Sequence, residues 1–73
     1  GAWAVAYLID HTPSRSIRTY FRGYFPLVDR MGWKKALCET TDFATVDAFY
    51  EGFEVFMQQP LEERLELLDR LKA

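Results

Sequence analysis

Thr40-Thr41-Asp42-Phe43-Ala44-Thr45-Val46-Asp47-Ala48-Phe49, continued by Tyr50-Glu51-Gly52-Phe53-Glu54-Val55-Phe56-Met57-Gln58, repeats its apolar residues at a helical interval. At 100° per residue, Phe43, Val46, Phe49, Tyr50, Phe53, Phe56 and Met57 fall within an arc of about 140°, the width of a core-facing stripe. Thr40, Thr41 and Asp42 are residue types that cap helix starts, so the pattern predicts one helix over 42–58. Its other side differs in kind. Ala44, Ala48 and Gly52 recur every fourth residue with Val55 beside them, a groove of small residues that admits a second helix at close range. Asp47, Glu51 and Glu54 leave only a narrow polar strip, which places this helix at the centre of a bundle or of a dimer.

Downstream, Pro60 opens a last helix, 60–72, with Leu61, Leu65, Leu67, Leu68 and Leu71 on one side and Glu62, Glu63, Glu66 and Asp69 on the other. The core predicted from these two helices is Phe43, Val46, Phe49, Tyr50, Phe53 and Phe56, covered by Leu61, Leu65 and Leu68. Upstream, Thr12 or Ser14 caps a helix that carries Ile17, Tyr20, Phe21 and Tyr24 on one face. Pro26 should end it at Phe25, because proline removes a hydrogen bond and crowds the preceding turn. A short helix over 26–31 then stops at Gly32, and another follows over 33–39. Residues 2–9 read two ways. Trp3, Val5, Tyr7 and Ile9 alternate as in a strand, whereas the three alanines and the Trp3–Tyr7 spacing favour helix, the preferred reading. A strand would need a mate in another subunit. The fold class is therefore all-α: a small compact bundle of four to five helices, the N-terminal segment being helix or inter-subunit strand.

The chain of 73 residues has room for one core, and residues 1–73 read as a single domain, compatible with excision from a longer chain. Hydrophobic residues at 49% exclude a disordered chain, and no apolar run reaches the ~20 residues of a membrane span. One cysteine, Cys38, leaves no internal disulfide, which points to a reducing, cytoplasmic setting. Large apolar side chains number 29, where one core of this size holds about 15–20. The surplus implies a surface buried against another chain.

Charge is unevenly placed. Residues 1–38 carry six basic and two acidic side chains, and residues 39–73 carry three basic and nine acidic. Arg15, Arg18 and Arg22, with Lys34 and Lys35 nearby in sequence, form a basic ridge that could meet nucleic acid or another anionic partner. An overall net charge of −2 argues against a dedicated nucleic-acid binder. His11 sits in a turn, and no glycine-rich phosphate loop, paired catalytic motif or zinc-ligand set occurs. No cofactor or metal is expected, and no enzymatic activity. The function expected is a protein-interaction or self-association module, most simply a homodimer, using Trp3, Tyr7, Ala44, Ala48, Gly52 and Val55. Nucleic-acid binding through the arginine helix is the alternative, followed by peripheral membrane association through Trp3, Tyr7, Leu8 and Ile9.

Overall fold

Five helices follow one another along the chain: α1 (Ala2–Asp10), α2 (Ile17–Met31), α3 (Trp33–Thr40), α4 (Val46–Met57) and α5 (Leu61–Arg70). They come from a computed structural model that describes residues 1–72. The all-α expectation holds, and the segment 2–9 is helical. Of its three alanines only Ala6 is buried, together with Tyr7 and Ile9. α1 packs on both α4 and α5, α3 packs on α4, and α2 folds back on α3 as a hairpin across Gly32. Gly32 has φ +85°, a conformation that favours glycine and that reverses the chain here.

Three boundaries differ from the sequence reading, each for a local reason. α4 begins at Val46, not Asp42, because Thr45 Oγ1 accepts the Ala48 N–H at 3.1 Å and fixes the first turn there. Thr41 Oγ1 instead accepts the Phe43 N–H and donates to the Leu37 carbonyl, closing a turn over the end of α3. α2 starts after Ser16, whose hydroxyl accepts the Thr19 N–H; Thr12 turns back to donate to the Ile9 carbonyl at the end of α1. α2 also continues through Pro26. The ring is exposed and lies away from the α3 side, so the missing N–H removes one bond on the solvent face, where water can satisfy the Arg22 carbonyl.

The core is an aromatic cluster centred on Tyr7. Its ring lies 5.8 Å from Phe43, 5.9 Å from Phe49, 5.8 Å from Phe53 and 5.2 Å from Phe56. Leu37 and Leu67 close the cluster. Five predicted core residues are corrected, one of them Val46, which is half-buried and outside the central cluster. Tyr50 is 55% exposed, and Leu61, Leu65 and Leu68 are exposed, while Leu67 is 1% exposed. In both helices the buried sector is rotated from the one expected. On α4 it takes in Phe49, Phe53 and Phe56 together with Ala48 and Gly52, a turn of roughly 70° toward the small residues. The cause is Tyr7: its hydroxyl occupies the place that a Cβ on Gly52 would take. α1 is therefore the helix that enters the Ala48–Gly52 groove.

Asp10 ties three elements. Arg70 binds it through both oxygens, Nε to Oδ1 at 3.1 Å and Nη2 to Oδ2 at 2.9 Å, and this bond raises the Arg70 pKa. Arg15 Nε lies 3.7 Å from the same carboxylate, and the Lys72 N–H donates to the Arg15 carbonyl at 2.7 Å. The ends of α1 and α5 and the start of α2 thus meet at one point.

Burial raises the pKa of Tyr7, Tyr20 and Tyr24, with Asp42 and Asp10 adding to the effect at Tyr7 and Thr40 opposing it at Tyr20. In the unfolded chain these phenols ionise near pH 10. The fold keeps protons that the unfolded chain gives up above that pH, so their contribution is complete below about pH 10 and is lost as pH rises beyond it. Denaturant midpoints measured against pH should fall above about pH 10, together with the appearance of tyrosinate absorbance. A constant midpoint through the tyrosinate transition would contradict this.

Candidate interaction surface

Large apolar side chains remain exposed on all five helices, Tyr50, Val55 and Met57 on α4 among them, and on α2 and α5 they line up in stripes. On α2, Ile17, Val28, Phe21 and Phe25 follow one another round the side next to the α3 contact. Ile17 and Phe25 are exposed, Phe25 at 62%, and Phe21 is half-buried with its ring stacked 5.2 Å from that of Phe25. α3 takes only Tyr20 and its neighbours: the Tyr20 hydroxyl meets Thr40 Oγ1 at 2.9 Å, and the Tyr24 hydroxyl donates to the Trp33 carbonyl. On α5, Leu61, Leu65 and Leu68 form the second stripe, beside the edge where Leu67 and Leu71 enter the core. An apolar cleft of about 140 Å³ between Ala2, Trp3, Ala6 and Leu68 continues that stripe onto α1.

The residues expected to mediate self-association divide. Tyr7, Ala48 and Gly52 meet within the chain, so the small-residue groove has an intramolecular occupant. The strand reading of segment 2–9, which needed a mate in another subunit, is set aside by the same contact, since the segment is a helix packed within its own chain. Trp3 is half-buried, 5.9 Å from Phe56, with the Arg64 guanidinium 5.2 Å from its ring centre. Ala44 and Val55 are exposed.

The basic ridge also divides. Arg15 is not on the helix: it lies in the turn before α2 at φ +53°, and faces Asp10. Arg18 and Arg22 are exposed on α2 beside the aromatic stripe. Among the described residues neither has an acidic partner within 4 Å. Lys34 lies over the Trp33 ring, and Lys34 and Lys35 border a shallow hollow with Cys38 and the α4 start, including Asp47.

His11 is held by structure. Its Nδ1 pairs with Asp42 Oδ1 at 2.8 Å, its ring packs against Tyr7 and Phe43, and the Asp42 N–H donates back to its carbonyl. The pair fastens the α3–α4 loop to the end of α1. Among the described residues, no group of three or more His, Cys, Asp or Glu side chains converges as a metal site would require. Among those residues too, no helix is long and apolar enough to cross a membrane.

Sequence reasoning placed Leu61, Leu65 and Leu68 inside and read Ile17 and Phe21 as one helix face with Tyr20 and Tyr24. The missed signal was the charge beside them: Arg18 and Arg22 adjoin one stripe, and Glu62, Glu66 and Asp69 the other. Comparisons of the chain with protein-family models, with curated proteins and with solved structures find no match in any of the three.

Proposed function

We propose that the chain is a non-catalytic helical module that works by binding protein through its exposed apolar helix faces. The observation that carries this reading is the pair of stripes, Ile17–Phe21–Phe25 on α2 and Leu61–Leu65–Leu68 on α5. Scattered exposed leucines are ordinary on a small domain. Contiguous stripes with a charged margin on one side match the construction of protein interfaces, which have an apolar centre and a polar rim. Phe25 is an anchor of the kind that dominates such contacts, large and rigid at two side-chain torsions.

Nucleic-acid binding is the weaker reading. Arg15 is engaged by Asp10, and Lys34 and Lys35 border the α4 hollow instead of extending the Arg18–Arg22 pair. A continuous basic track is therefore lacking among the described residues.

The test compares the chain with Phe25→Ser and Leu65→Ser variants. Both positions are exposed, so each variant should keep its helical circular dichroism and unfold within about 1 kcal/mol of the parent. Association, whether with itself or with another protein, should weaken by tenfold or more in at least one variant, as expected for loss of an interface anchor (about 1.4 kcal/mol). Unchanged association in both would contradict the proposal.

A further inference from the structure

The two stripes are related to each other. On α2, Arg18 and Arg22 lie on the side of the apolar stripe reached by turning clockwise as the helix recedes from the viewer. On α5, Asp69, Glu62 and Glu66 lie on that same rotational side of Leu61, Leu65 and Leu68. Two helices that face each other in parallel put such margins on opposite sides of the contact. Two that face each other antiparallel put them on one side, Arg against carboxylate. Ile17, Phe21 and Phe25 then run opposite Leu68, Leu65 and Leu61, an interval of two turns in both helices.

Resting on the proposed function, we propose that the partner is a second copy of this chain, α2 of one copy docking antiparallel on α5 of the other. Charge complementarity selects this occupant. Among the described residues Arg18 and Arg22 have no acidic partner within 4 Å, and Glu62, Glu66 and Asp69 have no basic one. Opposite margins on one molecule are self-complementary only between copies. The register also brings Ile17 to the cleft between Ala2, Trp3, Ala6 and Leu68. One contact of two turns is small beside the roughly 800 Å² per partner that stable interfaces cover. The assembly expected is therefore the reciprocal one, in which each copy gives α2 and receives on α5 about a two-fold axis.

The experiment uses charge reversal in both margins. Arg18→Glu with Arg22→Glu, and separately Glu66→Arg with Asp69→Arg, should each weaken self-association by about tenfold or more, because like charges then face each other. Mixed in equal amounts, the two variants meet with both margins reversed in one contact and both native in the other, so that opposite charges face each other in each. They should form a mixed complex of near-native affinity. As a second set, Arg18→Gln with Arg22→Gln should flatten the salt dependence of association that the unaltered chain shows. Reversals without effect, or two weakened variants that fail to rescue each other, overturn the antiparallel pairing. A chain that stays monomeric yet binds another protein through Phe25 or Leu65 overturns the choice of partner and leaves the interaction reading standing.

Discussion

Tyr7→Ala should unfold the chain. The ring lies within 6 Å, centre to centre, of four phenylalanines and of His11, and joins α1 to α4 and to the turn before it. Removing a buried aromatic side chain costs about 3–5 kcal/mol. A domain of this size rarely has more than about 3–5 kcal/mol in total. Circular dichroism at 25 °C should show most of the helical signal lost. Tyr7→Phe keeps the ring and should cost less than about 1.5 kcal/mol. Gly52 supplies the matching control. A methyl group there overlaps the Tyr7 hydroxyl, so Gly52→Ala should destabilise the native chain by about 1–3 kcal/mol despite alanine's better helix propensity. In the Tyr7→Phe background that cost should shrink. Equal costs in both backgrounds would show that Tyr7 does not occupy this site.

Leu67→Ala should have the next largest effect. Leu67 is 1% exposed and belongs to the central cluster, so truncation should cost about 2–5 kcal/mol in denaturant unfolding. Leu65→Ala, two residues away on the same helix, should cost well under 1 kcal/mol, because its side chain already meets water. The ratio between the two fixes the rotation of α5. Similar losses at both positions would mean that α5 sits with its leucine stripe inward, and the exposed docking face would disappear with it.

That rotation marks the limit of what helical periodicity conveys. Four leucines on α5, with Leu71 just beyond it, span an arc wide enough for two orientations, and the wheel has no term for where α1 comes from. The anchor is Tyr7, thirty or more residues away in sequence from everything it packs on except His11 and its own helix. Gly52 and Ala48 were legible as a close-approach groove, but the spacing is silent on which helix enters it. Capping is similar: Thr12, Ser14 and Ser16 are all competent, and the choice of Ser16 follows from Thr12 being used to close α1. Pro26 misled because its cost depends on which side of the helix it faces. The helix class, the break at Gly32, the helix starting near Pro60 and the uneven charge were all readable. They follow from local chemistry, which a single sequence carries in full.

The candidate surface was legible in part. The surplus of apolar side chains pointed to an interface, whereas its location was assigned to the small-residue side of α4, which α1 occupies. Arg18 and Arg22 were noticed as a ridge and read together with Arg15, which the turn at φ +53° removes to Asp10. The arginines gain meaning beside the aromatic stripe, and the acidic residues of α5 beside its leucines, only once the exposed sides of both helices are known.

Sedimentation equilibrium on the unaltered chain, over a range of micromolar concentrations and at two salt concentrations, tests the central claim most directly. The account predicts a mass approaching twice 8.6 kDa, with the association weaker at the higher salt. A folded chain that holds the monomer mass throughout, at either salt concentration, would contradict it.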